Sequence, residues 1–269
     1  MGSPLKIVIA GCSGRMGQAL LSGVFGDEEL VLHGALDSPT SAMLGRDAGE
    51  MLGKVSKVSV TADVERAIQG ADVLVDFTRP EATMQYLSAC QKHGVKMVIG
   101  TTGFTPEQKL DIENVAKRIA VAFAPNMSVG VTLLINLVEQ AAKVLKDDFD
   151  IEVVEMHHKY KVDAPSGTAL RLGEAAAHGI GQSLKDCAVY AREGVTGERE
   201  AGKIGFATLR GGDVVGDHTV IFAGTGERVE LTHKASSRAT FSLGALRAAK
   251  YLGQKSSGLF DMRDVLGLK

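Results

Sequence analysis

Leu5-Lys6-Ile7-Val8-Ile9-Ala10-Gly11-Cys12-Ser13-Gly14-Arg15-Met16-Gly17 is the stretch whose reading decides the fold. Residues 5–10 form a short apolar run rich in β-branched residues, bounded by glycine, the pattern of a buried parallel strand. Residues 18–25 continue with helical spacing. Strand, glycine turn and helix therefore follow in the order that a dinucleotide site requires. Gly11 permits the tight turn, Gly14 lets the backbone approach a pyrophosphate, and Gly17 lets helix and strand pack closely. The spacing is GxxGxxG rather than GxGxxG, and Arg15 adds a candidate charge-assisted contact to phosphate. A glycine-rich turn that holds no ligand is the competing reading of the same residues.

The next apolar run, residues 30–36, ends in Asp37-Ser38. An acidic residue there, ~20 residues beyond the glycines, is placed to accept hydrogen bonds from ribose hydroxyls. It would repel a 2′-phosphate, and Ser38 supplies no compensating cation, so NADH is expected over NADPH. Further strand-like runs follow. Residues 73–77 lead into Thr78-Arg79-Pro80 and a helical stretch at 81–93. Residues 96–99 lead into Gly100-Thr101-Thr102-Gly103 and a helix at 106–119, and residues 120–124 lead into Pro125-Asn126-Met127-Ser128. Strands alternating with helices predict an α/β, Rossmann-type doubly wound parallel sheet. Ligands of such sheets sit outside the carboxyl ends of the strands, which makes Thr78, Gly100, Thr102 and Asn126 cofactor-site candidates by position.

Composition narrows the classes. With 269 residues and 45% hydrophobic content, the chain can bury a sizeable core and is expected to hold two domains. A formal net charge of −2 opposes general nucleic-acid binding, which leaves a basic footprint. No apolar run approaches the ~20 residues of a membrane span, and no charged segment followed by an apolar one marks a secretory signal. The three cysteines, Cys12, Cys90 and Cys187, are odd in number and far apart, which suits a reducing cytoplasm better than a disulfide framework. Without a CxxC, or histidines spaced four apart, no metal site is expected.

The second half has a different texture. Residues 129–144 read as a long apolar helix and 151–156 as a strand. Then comes His157-His158-Lys159-Tyr160-Lys161-Val162-Asp163-Ala164-Pro165-Ser166-Gly167-Thr168, followed by a helix at about 169–180. Two histidines and two lysines within five residues concentrate positive charge and proton donors. The end of the segment leads into a helix N-terminus, whose free N–H groups suit an anion. A general acid beside an anion cradle is what a small carboxylate substrate needs, and a solvated polar loop is the plain alternative. Residues 204–210, 214–222 and 228–234 read as strands whose short connections predict antiparallel neighbours. This describes a mixed α+β domain with an open, largely antiparallel sheet, a face commonly covered by another subunit. Residues 240–252 are helical again. The expected division is a dinucleotide-binding domain, 1–128 with 239–269, and a substrate-binding and oligomerisation domain, 129–238.

Several motifs together resemble the dihydrodipicolinate (4-hydroxy-tetrahydrodipicolinate) reductase family across essentially the whole chain. They are GCSGRMG at 11–17, DFTRP at 76–80, GTTG at 100–103, APNMS at 124–128 and, above all, EMHHKYKVDAPSGTA at 155–169. The last fits the specific pattern E-x-H-H-x-x-K-x-D-x-P-S-G-T-A. The resemblance implies a homotetramer that uses NAD(P)H to reduce a cyclic dicarboxylate to tetrahydrodipicolinate in bacterial lysine and diaminopimelate synthesis. By position, His157 resembles the family's proton donor and Lys161 its second donor. His158, Gly167 and Thr168 look like its substrate-carboxylate contacts. Gly11, Cys12, Ser13, Gly14, Arg15, Met16, Asp37, Gly100, Thr101, Thr102, Ala124, Pro125, Asn126 and Met127 match its cofactor-binding positions. Many members carry an arginine after the acidic residue of the second strand, where this chain has Ser38, and that departure agrees with the charge argument for NADH.

On this reading, hydride addition to a conjugated ring leaves an enamine-like carbanion, which a histidine of ordinary pKa ~6.5 can protonate near neutrality. Two other classes stay open. A semialdehyde dehydrogenase would need a cysteine nucleophile beside a histidine. A non-catalytic NAD sensor would keep the glycine turn and have no use for an acid beside an anion cradle.

Overall fold

The computed structural model describes residues 3–237 and 239–269, and the chain divides into two compact units, Met1–Val129 with Arg238–Lys269, and Gly130–Ser237.

In chain order, the first unit contains β1 (Leu5–Ala10), α1 (Arg15–Phe25), β2 (Leu30–Leu36), β3 (Val60–Thr61), α2 (Val64–Ile68), β4 (Val73–Asp76), α3 (Pro80–His93), β5 (Lys96–Ile99), α4 (Pro106–Ala116) and β6 (Ala120–Phe123). The chain then passes through α5 (Val129–Leu145) into the second unit: β7 (Asp150–His157), α6 (Gly167–Gly179), α7 (Leu184–Cys187), β8 (Ala188–Val189), β9 (Ile204–Arg210), β10 (Gly216–Ala223) and β11 (Arg228–Ala235). It ends with α8 (Ala239–Gly253), β12 (Gly258–Phe260) and α9 (Met262–Leu266), which return to the first unit.

The first sheet has seven strands in the order β12-β6-β5-β4-β1-β2-β3, and every pairing is parallel. Both faces are covered, which is why its strands are apolar on both sides. Ile7, Ile9, Val73, Val75 and Val98 pack on one face with Leu20, Leu21, Leu246 and Leu252 from α1 and α8. Val8, Ala10, Leu74, Met97 and Ile99 pack on the other with Leu87, Cys90 and Ile112 from α3 and α4. Helix α1 buries Gly17, Leu20, Leu21 and Val24, the i, i+3, i+4, i+7 stripe of a helix laid on a sheet. The chain runs outward from β1 to β2 and β3, then crosses back to β4 on the other side of β1. That reversal opens a crevice at the carboxyl ends of β1 and β4, where doubly wound sheets bind ligands.

The second sheet is mixed, in the order β11-β10-β7-β9-β8. Here one expectation fails. The strands at 204–210 and 214–222 are not neighbours, because β7 lies between them, antiparallel to β10 and parallel to β9. The connection from β9 to β10 straddles the end of β7: Gly211 N–H donates to His157 O (2.9 Å), and His158 N–H donates to Val214 O (2.8 Å). A short link restricts how far apart two strands can lie, but it does not forbid one strand between them. Between β10 and β11 the expected hairpin is present, with Gly224 N–H donating to Glu227 O at 3.0 Å. Strand β7 alternates strictly. Ile151, Val153, Glu155 and His157 are buried, and Glu152, Val154 and Met156 on the other face are only partly covered. The apolar members of the first set pack with Val138 of α5, Leu172 and Ala176 of α6, and Val220 and Phe222 of β10.

Candidate active site

In the first unit the glycine turn is built as the spacing predicts. Gly11 has φ +65°, the left-handed region, and a methyl group there would lie 2.9 Å from Thr78 Cγ2. At Gly17 a methyl group would collide with Gly11 O and lie 2.6 Å from Cys12 Cα, so only hydrogen lets α1 pack against the turn. Gly14 is the N-cap of α1 and offers no side-chain cap, and the first helical turn holds no acidic residue. Its N–H groups and the positive end of the helix dipole suit a phosphate.

Asp37 is tied to this turn. Its Oδ2 accepts from Ser13 N–H (3.2 Å) and Ser41 Oγ (3.1 Å), and its Oδ1 accepts from Ser38 N–H (2.8 Å). The other candidates line the same carboxyl edge. Gly100 N–H donates to Asp76 O (2.8 Å), and any side chain at Gly100 would enter the Phe77 ring. Ala124 N–H donates to Ile99 O (3.2 Å), and Ser128 N–H donates to Asn126 Oδ1 (2.8 Å). Thr102 and Pro125 follow β5 and β6 on exposed backbone, and Arg15 and Met16 open α1. Cys12, Thr101, Ala124 and Met127 are buried. These features fit a dinucleotide: an uncapped helix start, glycines whose space a Cβ would fill, and a carboxylate at the ribose position.

Sequence reasoning passed over the role of Asp76. This fully buried carboxyl is pushed upward by burial and is held by Thr78 N–H (2.8 Å), Thr78 Oγ1 (2.6 Å) and Thr83 Oγ1, which fixes the end of β4. Burial, reinforced by Asp37, pushes the Cys12 thiol up to about 12, and burial reinforced by Asp76 does the same for Cys90. Burial also raises Cys187. Burial disfavours the thiolate form at all three cysteines, which counts against a cysteine nucleophile.

The second unit assembles the histidine segment around Glu155. Glu155 and His157 are i, i+2 on β7 and so share its buried face. Glu155 Oε2 pairs with His157 Nδ1 (2.5 Å) and accepts from Arg210 Nη1 (2.8 Å), and Oε1 accepts from Arg210 Nη2 (3.1 Å) and Ser166 N–H (3.0 Å). Burial works to raise this carboxyl. Arg210, His157 and the Ser166 N–H outweigh it and hold the carboxyl below its ordinary value. Arg210 sits beside His157 in the parallel β7–β9 register and also donates to Asp163 O (2.5 Å). On the other side of His157, a methyl group at Gly216 would lie 3.0 Å from Nε2, so glycine makes room for the imidazole.

His218, opposite Glu155 on β10, meets the His157 ring edge-on with centroids 5.0 Å apart. Burial, with His157 next, pushes His218 down to about 4, so it is neutral at pH 7. Its Nε2 lies 3.0 Å from Ser166 Oγ, the N-cap of α6, which accepts from Ala169 N–H (3.2 Å). Gly167 and Thr168 form the first turn of α6, and Gly167 faces open space. His158 Nδ1 is buried and has no hydrogen-bond partner among the described residues. Lys161 Nζ pairs with Asp163 Oδ1 at 2.8 Å.

The structure thus brings the five second-unit candidates onto one strand end, its following loop and the next helix start. Arg210, Gly216 and His218 were not singled out from the sequence. The only local signal for Arg210 was its place at a strand end before Gly211-Gly212. Among the described residues no cluster of His, Cys, Asp or Glu is able to hold a metal, and no helix is long and apolar enough to cross a membrane.

A doubly wound parallel sheet, a glycine turn at its central strand and a carboxylate after the next strand are the features of a dinucleotide-binding, Rossmann-type protein. The models of the family dihydrodipicolinate reductase match residues 5–127 (its N-terminus) and 130–266 (its C-terminus), and the chain belongs to that family. It is 61% identical over 265 residues to the 4-hydroxy-tetrahydrodipicolinate reductase of Thiobacillus denitrificans, covering 98% of this chain and 99% of the relative. With the enzyme of the same name from Laribacter hongkongensis, identity is 58% over 267 residues, covering 99% and 100%. Among solved structures it is similar to a dipicolinate-bound dihydrodipicolinate reductase from Paenisporosarcina sp. TG-14, with TM-score 0.77, 26% identity, and 96% and 97% of the two chains covered. An amine dehydrogenase from Mycobacterium smegmatis, at TM-score 0.59 and 14% identity over 96% and 94% of the chains, shares the fold alone.

Proposed function

We propose the following division of labour for a chain that reduces 4-hydroxy-tetrahydrodipicolinate to tetrahydrodipicolinate with NAD(P)H, a step of lysine and diaminopimelate synthesis. The first unit binds the dinucleotide through the Gly11–Gly17 turn, Asp37 and the strand ends at 100–102 and 124–127. The second unit binds the substrate. The observation that carries this reading is a buried imidazole on the strand whose following loop ends at a helix N-terminus, inside the family's most specific motif.

Bound reduced nicotinamide supplies a hydride. Loss of water gives a conjugated ring, and hydride addition leaves an enamine-like carbanion that takes up one proton. His157 donates that proton, and Lys161 leaves Asp163 to hold a carboxylate and assist the donation. His158 and the Gly167 and Thr168 N–H groups take the carboxylates; the unpartnered His158 Nδ1 and the open space at Gly167 support this. Holding both carboxylates orients the ring for transfer. The test is oxidation of NADH, followed at 340 nm, with the condensation product of pyruvate and aspartate semialdehyde. NADH binding without turnover would favour a sensor.

NADH is preferred over NADPH, because the Asp37 carboxylate repels a 2′-phosphate and Ser38 brings no cation. A kcat/KM ratio favouring NADPH would defeat this. The chain works in the cytoplasm, which its three free cysteines support. It assembles as a homotetramer through the outer face of the second sheet. There Val154 and Met156 of β7 pair in register with Ala207 and Leu209 of β9, Ile221 of β10 lies opposite Glu152 on the same face, and Leu209 is 49% exposed.

A further inference from the structure

We infer that Glu155, clamped by Arg210, is a positioning residue that keeps a proton on His157 Nδ1 and leaves Nε2 as the nitrogen that exchanges the catalytic proton. This rests on the reading of His157 as the proton donor. Glu155 is 1% exposed and meets four donor atoms: Arg210 Nη1 and Nη2, Ser166 N and His157 Nδ1. A carboxylate has acceptors only, so at 2.5 Å the ring must supply the hydrogen, and Nδ1 carries it whether the imidazole is neutral or cationic. Only Nε2 is left to gain and lose a proton, and a side chain at Gly216 would crowd it, with a Cβ 3.0 Å away.

The division of roles is that of a base oriented by a buried acid, run here in the acid direction. Arg210 neutralises Glu155, so the carboxylate can stay ionised in a buried place without drawing the proton off Nδ1. The titratable and charged groups around the ring are Glu155 on β7, Arg210 on β9, His218 on β10, and Lys161 with Asp163 on the loop.

Nitrogen-15 NMR of the histidines in the full chain tests the tautomer directly. Above the ring's titration, Nδ1 of His157 is expected at the protonated position and Nε2 at the unprotonated one; the reverse assignment overturns the inference. Glu155→Gln should lower kcat by about 10- to 100-fold, less than the full ~10²–10⁴ that a positioned general acid contributes, because the acid itself remains. KM should change little, the tautomers should mix, and the pH–kcat profile should differ from the native one. A native kcat and pH profile in Glu155→Gln, with only a lower Tm, would mean a structural role alone. Should that variant fail to fold, Arg210→Lys, which keeps the charge and loses the two-pronged contact, must show the same changes in smaller measure. His157→Gln separates the two readings. Native turnover there sinks His157 as the donor, whereas its collapse beside a native Glu155→Gln sinks only the role of Glu155.

Discussion

Gly17→Ala and Gly14→Ala separate the two duties of the glycine turn. At Gly17 an added methyl would lie 2.6 and 2.7 Å from Cys12 Cα and C, besides colliding with Gly11 O. Ordinary carbon contacts lie at ~3.5–4.0 Å, so α1 and the turn must part by about 1 Å. All three neighbours are backbone, and overpacking of this kind costs about 1–3 kcal/mol. For a unit of this size each kcal/mol is ~2–4 °C, so its unfolding transition should fall by about 2–12 °C. The same shift pulls turn N–H groups away from the pyrophosphate. Losing one charge-assisted hydrogen bond, at ~1.5–3 kcal/mol, raises the NADH Kd about 10- to 150-fold.

At Gly14 the methyl would meet only Gly11 O, at 3.3 Å, and φ is −72°, which alanine adopts freely. Stability should change by about 1 kcal/mol or less, but the methyl occupies the approach to the phosphates, so NADH affinity should fall at least as far. Calorimetric titration with NADH and thermal unfolding read the two quantities separately. Native Tm and Kd in Gly17→Ala, or a native Kd in Gly14→Ala, would refute the reasoning.

Three further outcomes are expected. Lys161→Met should lower kcat by about 10²-fold or more and leave the NADH Kd unchanged by calorimetry; near-native turnover would remove Lys161 from the chemistry. His218 should make the second unit acid-sensitive. Its folded pKa, pushed to about 4 by burial, lies below the ordinary ~6.5, so the unfolded chain binds the extra proton and stability falls as pH drops between those values. The full effect is about 3 kcal/mol, and urea midpoints at pH 7 and 4.5 should differ less in His218→Gln than in the native chain; equal differences would refute it. Leu209→Glu, on the outer face of the second sheet, should dissociate the proposed tetramer in sedimentation velocity, whereas an unaltered native-size assembly would exclude that face as the interface.

Much of the first unit was legible because its signals are local. The apolar runs at 5–10, 30–36 and 96–99 coincide with β1, β2 and β5, and the glycine spacing foretold which position tolerates no methyl. Buried parallel strands are apolar along their whole length, and glycine turns tolerate few substitutes, so both leave marks that can be read residue by residue. Strand β12 left no such mark. It is three residues long, has no buried residue, and pairs with β6, more than a hundred residues earlier in the chain.

In the second unit the strand at 151–156 and the gathering of proton donors ahead of a helix start at 157–168 were visible in the linear chain, whereas the alternating burial along β7 was not. Nor were the surroundings of those donors. The order of a sheet depends on which strands bury each other's apolar faces best, and connection length alone does not specify it. The insertion of β7 between β9 and β10 came from that competition. The same insertion brings Arg210 to Glu155 across 55 residues of chain, sets Gly216 against the His157 ring and buries His218 beside it. The sequence offers candidates for a proton donor and an anion site. The nitrogen that holds the proton, and the carboxylate that keeps it there, follow from contacts between strands distant in sequence.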